Sequence, residues 1–147
     1  MKAFRNSYLA YLFLYSFYFM STALFTTLIS VYLIGRQYSA SQVSNLVSTA
    51  FFLSMLAQPL FGYINERFGI VKITTLSLVV LMAGVGGFIW APNFFWLTIF
   101  YGLVLLCLNG TAPMMEILAT QSPYAFGKIR VWGTLGYAAG AHLAGWL

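Results

Sequence analysis

Apolar residues run through this chain in five long stretches, with no period-two alternation, and short polar or Pro/Gly-bearing segments separate them. The stretches are about 8–33, 43–65, 71–90, 94–118 and 126–147, and the links are 35–41, 66–70, 91–93 and 120–125. Each stretch has about 20 residues or more, enough for a helix to cross a bilayer. Barrel strands would be shorter and would alternate. The pattern therefore predicts an all-α, polytopic transmembrane bundle of five helices, forming one transmembrane domain over residues 1–147.

Polar positions inside these stretches carry the remaining information. In the first, Tyr11, Tyr15, Tyr18, Thr22 and Thr26 recur at helical spacing and share one stripe. Lipid does not call for hydroxyls, so this stripe faces either a wet cavity or a neighbouring helix. Interhelical hydrogen bonds of the latter kind average about 0.6 kcal/mol. Tyr8 is placed for an interfacial aromatic belt. The second stretch follows a cap cluster, Ser39-Ala40-Ser41, and bears Ser44 and Ser48 on one face. It contains Pro59, a candidate kink, and Gly62, which permits close contact, while Gly69 is placed to turn the chain back. The third, with Gly84, Gly86 and Gly87, shows no chemistry and is predicted to be a packing helix. Trp90 and Trp96 flank the turn that follows it, where an interface belt is expected.

The fourth stretch places Asn109, Glu116 and Thr120 on one face near Pro113. In the fifth, Arg130, Thr134, Tyr137 and Ala141 form one stripe, and Gly136, Gly140 and Ala144 a second. The small stripe suits close helix contact, which leaves the first stripe to face something polar. His142 is either a hydrogen-bonded interior residue or a proton carrier.

Composition sharpens the class. The chain is 61% hydrophobic and 6% charged, against about 25% charged residues in soluble domains. The net charge of +5 does not indicate nucleic acid, because the seven basic residues are scattered at segment ends. Lys2, Arg5, Arg67, Lys72, Lys128 and Arg130 fall on one side and Arg36 on the other, which predicts a cytoplasmic amino terminus. The first stretch is too long, and lacks the small-residue pattern, for a cleaved signal peptide. Two carboxylates, one histidine and the single Cys107 supply no metal cluster or catalytic triad. No phosphate-cradling glycine loop is present. Neither a cofactor nor a metal is expected, nor is an enzyme.

Glu116 and Arg130 are equidistant from Pro123. In antiparallel helices joined there, they lie at matched depth. A charge at a helix centre costs about 2.5–3.5 kcal/mol on insertion scales, and a facing opposite charge recovers part of that. The pair is either a functional site or a tether between two helix ends.

Gly62, Glu66, Arg67 and Gly69 resemble the signature loop between the second and third helices of the major facilitator superfamily, which implies a cytoplasmic gating latch. The superfamily usually has aspartate where Glu66 stands and basic residues directly after the second glycine, where this chain has Ile70-Val71 before Lys72. The whole pattern is similar to the lactose permease and phenylpropionate permease branch. The stretch Gln58-Pro59-Leu60-Phe61-Gly62, the Pro113-x-x-Glu116 spacing and Phe126-Gly127-Lys128-Ile129-Arg130 carry that likeness. It implies that Glu116 and Arg130 bind a sugar, with Tyr137 where the branch has a stacking tryptophan and Thr134 where it has a cysteine. The phenylpropionate permeases resemble 127–133 more closely still, so the substrate is not carried over.

The resemblance further implies the first five helices of a twelve-helix carrier in a bacterial plasma (inner) membrane, with the carboxy-terminal half as the missing partner. On this reading the chain is a fragment that cannot transport alone. The expected function is proton-coupled symport of a small polar solute, such as a sugar or oligosaccharide, by alternating access. Expected substrate-binding residues are Glu116, Arg130, Thr134, Tyr137, Asn109, Tyr18 and Thr22. Alternatives are a carrier of aromatic acids, nucleosides or drugs, and a non-transporting membrane assembly subunit in which the ion pair is a clamp.

Overall fold

The computed structural model describes residues 7–146. Lys2 and Arg5, which entered the orientation argument, and Leu147 lie outside the described residues. Five helices follow in order: α1 Tyr8–Gly35, α2 Ala40–Phe68, α3 Ile70–Ile89, α4 Phe94–Thr120 and α5 Phe126–Trp146. All described regular structure is helical.

Three of the links are shorter than the sequence suggests, for reasons that are local, and the one before α4 is longer by Trp90. After α1, the Gln37 N–H donates to the Ile34 carbonyl and the Tyr38 N–H to the Leu33 carbonyl. This is a Schellman closure, and it holds Gln37 at φ 68°. Gly35, expected in the link 35–41, stays helical. Between α2 and α3 only Gly69 leaves the helix, at φ 88° and ψ 137°, a conformation that glycine alone enters readily. Glu66 and Arg67, expected in a loop, therefore lie in the last turn of α2. Pro59 and Pro113 sit inside α2 and α4 without ending them. Asn93 starts α4, its side-chain oxygen accepting from the Trp96 N–H at 3.2 Å.

The chain forms two compact units. One comprises α1, α4 from Met115 onward, and α5; the other comprises α2, α3 and α4 as far as Met114. In the first unit, Ile129, Gly133, Gly136, Gly140 and Ala144 form the buried face of α5. A Cβ at Gly136 would run into the Ser16 backbone, and one at Gly140 would lie 2.6 Å from the Met20 carbonyl oxygen. The backbones of α1 and α5 thus approach as closely as glycine allows, and many small dispersion contacts add along the seam.

The second unit uses glycines against side chains. Gly84 packs on Leu103 and Val104, Gly87 on the Phe100 ring, and Gly110 on the Phe61 ring. Polar pairs add to this: Asn109 donates to Ser54 at 2.9 Å, and the Thr74 hydroxyl to the Met114 sulfur at 3.2 Å.

Helices α1–α4 are long and apolar enough to cross a membrane. Helix α5 has the length, with 21 residues, but its glycines, Lys128, Arg130 and His142 make it less apolar. Large apolar side chains stand open on the surface, among them Met55, Leu60, Val71, Val79 and Met82. Water would not tolerate so many together, whereas lipid tails do. The protein is a multi-pass membrane protein.

Candidate functional site

The turn from α4 into α5 is closed by Ser122. Its hydroxyl donates to the Ala119 carbonyl at 2.7 Å and accepts from the Tyr124 N–H at 3.3 Å. This closure reverses the chain tightly, with Glu116 four residues before the end of α4 and Arg130 four residues after the start of α5. The Arg130 Nη1 donates to Glu116 Oε1 in a salt bridge. The two side chains are 48% and 45% exposed. The guanidinium also lies 5.8 Å from the centroid of the Phe126 ring.

A cavity of about 190 Å³ opens beside the pair, lined by Phe19, Arg130, Gly133, Thr134 and Tyr137. Arg130 and Thr134 supply its polar groups, and the Phe19 and Tyr137 rings its apolar walls. The Thr134 hydroxyl is 3.4 Å from the Arg130 carbonyl, a weak helix-internal bond. Tyr18 and Thr22 are outside this lining. The Tyr18 ring is buried edge-on to Phe19, with centroids 5.3 Å apart, and Thr22 donates to the Tyr18 carbonyl at 2.9 Å. Asn109 belongs to the other unit and is bonded to Ser54 there.

Two cavity residues, Phe19 and Gly133, were not singled out in the sequence. Phe19 is one of 14 phenylalanines and adjoins the hydroxyl stripe without belonging to it. Gly133 lies on the small face of α5, where a Cβ would press on the Phe19 and Tyr15 rings. The hydroxyl stripe of α1 turns out to bond partly to its neighbours: the buried Tyr15 donates to the Met115 carbonyl at 2.6 Å. Next to it, the Ser16 hydroxyl reaches the Trp132 carbonyl at 3.3 Å. Tyr8 accepts from the Trp132 indole N–H at 2.8 Å and donates to the Lys128 carbonyl at 3.2 Å. Tyr8 is thus a link to α5, whatever else it does at an interface.

The residues expected to gate, Gly62, Glu66, Arg67 and Gly69, are all exposed, and the Arg67 guanidinium lies 5.6 Å from the centroid of its neighbour Phe68. His142 is exposed with its ring 6.3 Å from that of Trp146. Among the described residues no three of His, Cys, Asp and Glu could share a metal ion.

An ion pair beside a small polar and aromatic cavity, in a chain of long apolar helices, is a candidate functional site. The chain belongs to the MFS_1 like family of the major facilitator superfamily, whose sequence profile matches residues 8–147. It is 29% identical to the sucrose permease of Escherichia coli over 156 aligned positions, covering 97% of this chain and 38% of that protein. The chain thus spans well under half the length of this relative. No solved structure matches it.

Proposed function

We propose that this chain contributes the substrate-binding first half of a proton-coupled symporter for a sugar or oligosaccharide, working by alternating access in a bacterial plasma membrane. The observation that carries the reading is that Arg130, paired with Glu116, lines a cavity together with Thr134 and Tyr137, while Glu116 itself is outside that lining. A carboxylate accepts hydrogen bonds from sugar hydroxyls, and a guanidinium donates two in parallel. An exposed tyrosine ring offers a flat apolar face for the C–H side of a pyranose. Both side chains are about half exposed, so each keeps hydrogen-bonding capacity beyond the other, which favours the binding role over the clamp.

The sugar class draws on the relative named a sucrose permease; the proton draws on the resemblance to the lactose permease branch. Tyr18 and Thr22 complete the proposed set within the first unit, and Gly62, Glu66, Arg67 and Gly69 form the proposed gate in the second. The amino terminus is cytoplasmic in this proposal.

The test is uptake of labelled solutes by cells expressing the reading frame that contains this chain. The panel holds sucrose, lactose, phenylpropionate and a nucleoside. Glu116→Ala and Arg130→Ala should each abolish uptake of a sugar while the protein remains in the membrane. Uptake of phenylpropionate or the nucleoside alone would assign another substrate class. Normal sugar uptake by both variants would reduce the pair to a clamp.

A further inference from the structure

We infer that Tyr15 and Ser16 of α1 are positioning residues that set the alignment of Glu116 with Arg130. Adjacent residues on a helix point about 100° apart, so one turn of α1 can grip two neighbours at the same level. Tyr15 reaches one of them: its hydroxyl donates to the carbonyl of Met115, the residue immediately before Glu116. Ser16 reaches the other: its hydroxyl donates to the carbonyl of Trp132, two residues beyond Arg130. Both bonds land on backbone, so they register the helices themselves rather than the charged side chains.

Each grip is reinforced. The Tyr15 ring is fully buried and rests against Gly133, where a Cβ would be 3.0 Å from its Cδ1. Ser16 lies where Gly136 brings the two backbones together. The salt bridge alone cannot fix the helices, because both its side chains are long, flexible and about half exposed. A rigid site requires its charged groups to be held by residues that do not themselves move. Tyr15 meets that requirement, being buried and bonded at 2.6 Å. The consequence for transport rests on the sugar-binding reading above; the alignment itself does not.

Two measurements separate those claims. Cysteines replace Glu116 and Arg130 in a Cys107→Ser background, and a short bifunctional maleimide is applied to membranes. Bridged product is counted by mass spectrometry. Tyr15→Phe, which keeps the ring and removes the hydroxyl, and Tyr15→Phe with Ser16→Ala should lower the bridged fraction severalfold. In the otherwise native reading frame the same substitutions should raise the KM of sugar uptake about threefold to tenfold, the loss of one net hydrogen bond, with Vmax and membrane abundance unchanged. Unaltered bridging and unaltered KM, while Arg130→Ala still abolishes uptake, would overturn the inference and leave the sugar site standing. Reduced bridging in a protein whose uptake ignores Arg130→Ala would uphold the alignment and overturn the sugar site instead. A fall in Vmax and abundance with KM and bridging unchanged would make Tyr15 a packing residue only and would also overturn the inference.

Discussion

Replacing Gly140 by alanine tests the α1–α5 seam on which the site is built. The added methyl would lie 2.6 Å from the Met20 carbonyl oxygen and 3.0 Å from the Ala23 Cβ, whereas ordinary contact begins at 3.4 Å. The Met20 oxygen is backbone and cannot rotate aside, so α5 must withdraw by about 0.8 Å, the difference between 2.6 and 3.4 Å. A gap of that size forfeits roughly a quarter to a half of each neighbouring dispersion contact. Overpacking of this kind costs about 1–3 kcal/mol. Alanine recovers about 0.5–1 kcal/mol as a better helix former, which leaves a net loss of up to about 2.5 kcal/mol. The controls are Gly102→Ala in α4 and Gly127→Ala in α5, where a Cβ meets nothing within 4 Å. These should gain the propensity term and lose nothing. Thermal unfolding of the purified chain in detergent, followed by far-ultraviolet circular dichroism, should therefore order Gly140→Ala below the parent and both controls at or above it. A Gly140→Ala protein that melts with or above Gly127→Ala would refute the close approach of α1 and α5.

Gly69→Ala should lower stability by about 1–3 kcal/mol through backbone strain alone, since φ is 88° and a Cβ there meets no atom; the same melting assay reads it. Gln37→Gly should raise stability by about 1 kcal/mol, because the left-handed position after α1 then carries no Cβ. Tyr8→Phe removes the acceptor of the Trp132 indole N–H and should cost about 1 kcal/mol, with a shift in Trp132 emission measured after Trp90, Trp96 and Trp146 are replaced by phenylalanine.

The five helices were legible because bilayer length and apolar composition act on whole stretches, and a chain with 6% charge has few other solutions. Their ends were less so. Gly35 reads as part of a link but stays helical, and the left-handed residue is Gln37, fixed by hydrogen bonds that no residue type announces. Glu66 and Arg67 read as loop because they are charged, yet a single glycine suffices to reverse the chain, and they remain helical. Spacing also brought out Arg130, Thr134 and Tyr137, which share one face of α5 and line one cavity. Phe19 escaped notice because an aromatic among many apolar residues leaves no periodic trace. The partner of each hydroxyl on the α1 stripe was equally hidden: Tyr15 reaches across to Met115, while Thr22 turns back on its own helix. Helical periodicity gives the direction of a side chain but not what it meets.

The most direct test of a solute site beside the ion pair is substrate protection at Thr134. Thr134→Cys in a Cys107→Ser background is exposed to a maleimide in membranes from cells expressing the full reading frame, with and without sucrose. The expected result is that sucrose slows alkylation at position 134, and that Arg130→Ala removes this protection. Alkylation at an unchanged rate in saturating sucrose, in a protein that still takes sucrose up, would place the solute elsewhere.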